Sequence, residues 1–334
     1  MRIKRYFGII TCIVLFVLYI FKVTNINNKS EACNLNYGSC EAKTMQSTFN
    51  GNELKNKLLN SGENSANSDE EEDLTQKYKY LITSSAVTSV PWENDVNFKR
   101  FRKAYGTEQM MAAYCSILND PLPGEEENVH IGAKLLCGTV VEPNKVFSQN
   151  NTIGPYVTDR GYKKGPTYAG SRITTTIGGG VCKIASTLYN VAVMSNLPIV
   201  ERHAHRMPVS YVPYGQDATV CYGAKDFKFK NNTASPLLIW CKSIGNKLYI
   251  GFYGNVRPPK IQWHHEFLNI KRTQTIYRKN KSLKGGEEKV VVIGMDGAVL
   301  NTWVTIEDSD GTVITKKLGK SVYSPLPSIC EIGT

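Results

Sequence analysis

No two of the nine cysteines in this 334-residue chain form a CxxC pair, which removes finger-like zinc frameworks and thioredoxin-type redox motifs from consideration. The net charge is +11, yet lysine and arginine are scattered and form no single stripe interleaved with aromatics. That argues against a nucleic-acid partner. The chain has no clear internal repeat, and no small-x-small cleavage site follows its first apolar run. No motif for a cofactor is legible, so none is expected. Histidine is scarce, with five in all, so each one near a nucleophile deserves a chemical reading.

Arg2, Lys4 and Arg5 precede FGIITCIVLFVLYIFKV, an apolar run of about 25 Å as a helix at ~1.5 Å per residue. With Lys22 snorkelling, this reads as an uncleaved anchor at residues 1–23. The basic end stays inside, which makes the chain a single-pass protein of the cell membrane with its large part extracellular. A basic exported protein meets anionic wall polymer, peptidoglycan carboxylates and lipid headgroups before it meets nucleic acid. Residues 24–86, rich in Asn, Ser, Lys and Glu and carrying the acidic run DEEED, read as a disordered tether.

Order signals rise from about residue 91. TEQMMAAYCSILNDPLP reads as a short helix ended by Pro121 and Pro123. Val181, Ile184, Ala185, Leu188 and Ala192 recur on one helical face, so 181–195 is the strongest helix pattern. The stretch from 199 to about 240 reads as short strands separated by turn residues. Pro258 and Pro259 precede a run in which Asp-Gly turns divide β-rich segments. The expected architecture is α+β: a compact mixed domain at 87–257, with a central helix and antiparallel strands, and a small all-β module at 258–334.

The chemistry centres on IGGGVCKIASTLYN, where three glycines lead into a cysteine that opens the helix. Unpaired amides at a helix start favour a thiolate. Gly179 and Gly180 leave open backbone beside Cys182 for a substrate carbonyl. The alternative is a tight turn followed by a small packing residue. Downstream, IVERHAHRM as a strand places Glu201, His203 and His205 on one face. Either histidine suits a base for Cys182, His203 being nearer the strand start, with Glu201 or Asp217 orienting the ring. Arg202 suits a substrate carboxylate bidentately, or is an exposed strand charge. Asp217 also fits a substrate contact or a turn former bonding its own backbone. A zinc reading uses His203 and His205 with Cys182 or Glu201, a weak spacing that leaves the expected metal as none.

KVFSQNNTIGPYVTDRGYKKGPTYAG, IGGGVCKIASTLYNVAV and LPIVERHAHRMPVSYVPYGQDATVCYGAKDFKFKNNTASPLLI occur in an order that resembles the VanW family. The resemblance runs from about Val87 to Tyr253. The segment from about 285 resembles the extracellular module named for its five glycines, through GEEKVVVIGMDG and SVYSPLPSICEIGT. The resemblance implies an envelope protein. Cys182, His203 and His205 match its motif, while Lys183 replaces a common Gln and Arg206 a common Ser. The Cys, His, acid order is that of several peptidases of wall peptides, by analogy. Two functions follow as expectations: a cysteine-dependent acyl-transfer enzyme acting on peptidoglycan stem peptides, or a non-catalytic wall-binding or assembly protein.

Overall fold

A computed structural model of the chain describes residues 74–334, except 80, 120, 170 and 171. The expected anchor and residues 24–73 of the expected tether lie outside the described residues. Among the described residues, no helix is long and apolar enough to cross a membrane. The last part of the expected tether is structured. Helix α1 (Leu74–Lys77) leads into the buried Tyr78 and Ile82, and β1 (Ser85–Ala86) pairs with the next strand.

The architecture is sheet-rich mixed α+β. A five-stranded antiparallel sheet has the order β1–β2–β10–β9–β3, with β2 at Gln109–Ile117, β3 at Thr139–Val141, β9 at Leu237–Ile244 and β10 at Lys247–Gly254. Residues 107–123, expected as a short helix, instead contain β2, paired on both edges. Residues 111–116 of β2 are all buried, and sheet pairing overrides the helical preference of the two alanines and two methionines in MMAAYCSI.

Helix α2 (Val96–Tyr105) starts at Asp95, whose side chain accepts from the Phe98 amide, and stops at Gly106 in the left-handed region. It lays Phe98 and Phe101 against Trp240 of β9. Helices α3 (Glu125–Leu136) and α5 (Cys182–Met194) pack on the same sheet, α3 against β9 and α5 against β2 and β10. Between them lie β4 (Val146–Ser148), the short α4 (Gln149–Ile153) and the hairpin of β5 (Lys164–Ala169) and β6 (Arg172–Ile177). β7 (Ile199–Glu201) and β8 (Lys228–Lys230) complete a small sheet ordered β4–β8–β7.

Residues 183–193 of α5 are all buried, because the helix is covered on two sides. Its second cover is β11 (Lys260–Lys271), which forms an antiparallel sheet with β14 (Gly297–Glu307) and β15 (Val313–Tyr323). Trp263 of β11 stands edge-on to Tyr189 of α5 at 5.7 Å, and Val304 and Ile306 of β14 belong to the main core. A second apolar cluster joins Leu74 and Tyr78 to Met207 and Tyr214, and both to Phe267, Leu300 and Tyr323. Pro258 and Pro259 therefore mark a break along the chain, while the parts before and after them share an interior. The remaining sheet, β12–β16–β13, with β12 at Thr275–Asn280, β13 at Glu288–Val292 and β16 at Ser328–Gly333, is far more open, with Tyr277 and Val290 exposed.

Candidate active site

Gly178 and Gly180 have φ of +78° and +100°, a left-handed backbone that other residues resist. Gly179 is needed for a different reason. A Cβ there would sit 2.1 Å from the Gly165 carbonyl oxygen of the β5–β6 hairpin. The Asn128 side-chain amide donates to the Gly179 and Lys163 carbonyls, locking hairpin and glycine turn together. Gly179 is thus buried under the hairpin and closed to a substrate, whereas Gly180 is partly exposed.

The turn delivers Cys182 as the first residue of α5. Val181, the cap residue, offers no side-chain hydrogen bond to the helix start. The Lys183 and Ile184 amides donate to the Gly180 and Val181 carbonyls. The Cys182 amide has no hydrogen-bond acceptor among the described residues, so it is the one first-turn donor left for a developing oxyanion.

Polar side chains of α5 then gather residues 216–220 alongside it. Ser186 Oγ donates to the Ala218 carbonyl and accepts from the Ala218 amide, and Asn190 donates to the Gln216 carbonyl. These contacts do the work of a strand ladder, and residues 202–227, expected as short strands, contain only an isolated bridge between Cys221 and Lys225. Pro208, Pro213 and Gly215 break the ladder pattern. Thr219 Oγ1 lies 3.4 Å from the Cys182 sulfur, and the Val220 amide donates to it at 3.5 Å.

β7 also stops earlier than expected, at Glu201, so the alternation that placed Glu201, His203 and His205 on one face does not operate. His205 turns inward. Its Nδ1 donates to Asp217 Oδ2 at 2.6 Å, and the ring acts electrostatically on the Cys182 thiol. His203 instead pairs with Glu201 at 3.0 Å, and its side chain is 40% exposed against 8% for His205. Glu201 also accepts from Lys228 and the Asp226 amide, so it orients nothing at Cys182. Arg202, expected at a substrate carboxylate or exposed on a strand, is largely buried over Tyr189 and bonds Asp217 Oδ1 at 2.9 Å. Asp217 is neither a turn former nor a substrate contact: it accepts from the His205 amide, His205 Nδ1, Arg202 and the Tyr323 hydroxyl.

The electrostatics follow from these contacts. Burial by itself raises the Cys182 thiol, but the hydrogen bond and charge of His205 outweigh it and hold the thiol below its ordinary value. Burial opposes a charged His205, yet Asp217 and Cys182 together push it up to about 9. Burial also disfavours a charged Asp217, and Arg202 with His205 holds its carboxyl well below the usual carboxylate range. Glu201 is lowered to about 2, chiefly by Lys228. Lys183, the departure from the family motif, is buried, drops to about 8 through that burial, and donates to the Asn246 carbonyl away from the thiol.

Two residues were invisible to sequence reasoning. Tyr323 lies in SVYSPLPSICEIGT, a stretch marked only by its likeness to the C-terminal module and by nothing that ties it to Cys182. Thr219 lacks any signal beyond its nearness to Asp217. The zinc reading finds no support, since His203 and His205 serve different carboxylates and no three His, Cys, Asp or Glu are grouped to hold a metal among the described residues.

The arrangement can hold a thiolate–imidazolium pair beside a free amide, which is the equipment of nucleophilic acyl transfer. Comparison with known proteins matches residues 124–253 to the family described as VanW like protein. A protein of Bacillus subtilis (strain 168) named "Uncharacterized protein YoaR" is 35% identical over 152 residues, covering 46% of this chain and 50% of that one. The vancomycin B-type resistance protein VanW of Enterococcus faecalis (strain ATCC 700802 / V583) is 30% identical over 136 residues, covering 39% and 50%. The chain thus matches about half the length of these curated relatives. Among solved structures, the IgA1 protease G5 domain is 22% identical with a TM-score of 0.15, over 24% of this chain and 98% of that one. HP0197-G5 is 18% identical with a TM-score of 0.13, over 22% and 99%.

Proposed function

We propose, from the premise that residues 124–253 form a VanW-like domain, that this protein is a cysteine-dependent acyl transferase, peptidase or transpeptidase, acting on peptidoglycan stem peptides outside the membrane. The observation that carries the reading is the buried His205–Asp217 pair beside the partly exposed Cys182, with the thiol lowered by His205 and the imidazole raised.

In this reading Cys182 Sγ attacks a peptide carbonyl, whose oxygen turns to the Cys182 amide. The C–N bond breaks, and the proton on the outer nitrogen of His205 goes to the leaving amine. The product is a thioester on Cys182. Water or a second amine then attacks it, giving a proton back to His205 and restoring the thiolate. One oxyanion donor is worth about 3 kcal/mol, and the acid–base residue on the order of 10²–10⁴-fold. Asp217 holds the ring in the tautomer that faces the sulfur.

A relative named for vancomycin resistance and the overall positive charge support a wall substrate. The N-terminal apolar run supports a membrane anchor with the described part outside. Incubating the protein with muropeptides and reading products by mass spectrometry tests the chemistry. Wild type should shorten or cross-link stem peptides and form a Cys182 thioester, and Cys182→Ala should do neither. If both leave the peptides intact while binding wall polymer equally, the non-catalytic wall-binding reading replaces this one.

A further inference from the structure

We infer that Tyr323, on the C-terminal strand β15, is a positioning residue which, together with Arg202, draws the negative charge of Asp217 away from His205, so that the module after Pro259 sets how readily the catalytic imidazole releases its proton. The inference rests on the acyl-transfer reading and assigns a regulator of that same site.

The geometry at Asp217 divides its two oxygens between two jobs. Oδ2 takes both bonds from His205, from its amide at 2.7 Å and from Nδ1 at 2.6 Å. Oδ1 takes Arg202 at 2.9 Å and the Tyr323 hydroxyl. Tyr323 accepts from the Gly215 amide at 3.0 Å, so its own proton is committed to Asp217. Ser321, two residues earlier on the same side of β15, accepts from Arg202 Nη1 at 3.0 Å. One strand therefore supplies both the second donor to Oδ1 and the clamp on the first. Tyr323 and Ser321 lie well beyond residue 253, where the family match ends, while the groups they hold lie within it.

Such an arrangement has a chemical use. A carboxylate whose full charge faced the ring would hold the imidazolium proton too firmly to pass it to a leaving amine. Each donor on Oδ1 withdraws part of that charge. When Tyr323→Phe removes one, three contacts still orient Asp217, so the dominant change is electrostatic rather than a loss of aim. His205 then binds its proton more tightly, and the Cys182 thiolate is stabilised to lower pH. One hydrogen bond to a charged group, relayed only in part, gives about half a pH unit, or roughly threefold in rate on the acid limb.

The test compares full-length wild type, Tyr323→Phe and Tyr78→Phe by iodoacetamide labelling of Cys182 across pH, with thermal melts to verify folding. Tyr78 belongs to the same aromatic cluster, and its hydroxyl accepts from the Asp296 amide and leaves Asp217 untouched. In Tyr323→Phe the labelling midpoint should fall by about half a unit, and the ¹⁵N-detected titration of His205 should move up by a similar amount. Tyr78→Phe should leave both unchanged. A midpoint that rises toward the free-thiol value of about 8.5 means a loosened site and overturns the inference, as does no shift or an equal shift in Tyr78→Phe. Wild-type Cys182 that labels like a free thiol sinks both this inference and the proposed function. An intact Tyr323 effect without any stem-peptide chemistry sinks only the latter.

Discussion

Two histidine–carboxylate pairs arise from nearly the same stretch of chain, and they do opposite things. His203–Glu201 closes at 3.0 Å with both side chains partly in water, 40% and 28% exposed. His205–Asp217 closes at 2.6 Å with 8% and 2% exposed. Functional groups and spacing on paper hardly distinguish them. Burial and additional partners do. Lys228 shares Glu201 on a wet surface, where an ion pair is worth roughly 0–1 kcal/mol. Asp217 sits in the interior with Arg202, Tyr323 and the His205 amide, and its charge acts on one imidazole at short range.

The sharpest break between the pairs should come from removing each histidine. His205→Ala removes the charge that holds the Cys182 thiol down and leaves burial to raise it, so iodoacetamide labelling at pH 6.5 should slow by at least about tenfold. His203→Ala should change the rate by no more than about twofold. Equal losses would mean that the exposed pair also serves the thiol.

Stability should divide the two acids next. Asp217→Asn leaves Arg202 buried without its counter-charge and should cost about 3 kcal/mol in urea unfolding at pH 7. Glu201→Gln should cost less than about 1 kcal/mol. The folded value of Asp217 is depressed, so its contribution is present above the unfolded value of about 3.9 and is lost only as pH falls through the lower, folded value. The wild type should therefore keep its advantage over Asp217→Asn down to pH 4. A gap already closed at pH 5 contradicts this assignment.

Activity against pH offers a finer measure. His205, raised to about 9, supplies its proton below that pH and loses it above, so acyl transfer should fall on the alkaline side near 9. The acid limb should lie below the ordinary thiol value, because Cys182 is lowered. Glu201→Gln should leave both limbs in place.

A last pair of substitutions tests the support of the site rather than its charges. Gly179→Ala forces a Cβ onto the Gly165 carbonyl and should lower stability by about 1–3 kcal/mol, measured by thermal melting, and blunt Cys182 labelling with it. Gly223→Ala, where a Cβ meets open space but φ is +79°, should cost about 1 kcal/mol and leave the thiol alone.

Much of this site was legible in the residue order. The glycine triplet before Cys182 and the helical period after it depend on local rules of backbone freedom and side-chain spacing, which act within a few residues. The choice of histidine was not legible. It turned on where β7 ends, and the Ser186 and Asn190 contacts that replace a strand ladder come from a helix distant in sequence. The helix expected over 107–123 failed for a related reason: pairing with β1 and β10 outweighs the propensity of MMAAYCSI.

By itself the sequence determined the mixed α+β character, the glycine-led helix with its thiol, and the chemical types available near it. Only the tertiary structure decided that Asp217 rather than Glu201 meets the thiol's histidine, that Arg202 serves an internal carboxylate, and that Tyr323 of the last long strand reaches the same acid. Those outcomes depend on which polar groups lose water together, and desolvation is a property of the packed interior that no spacing along the chain encodes.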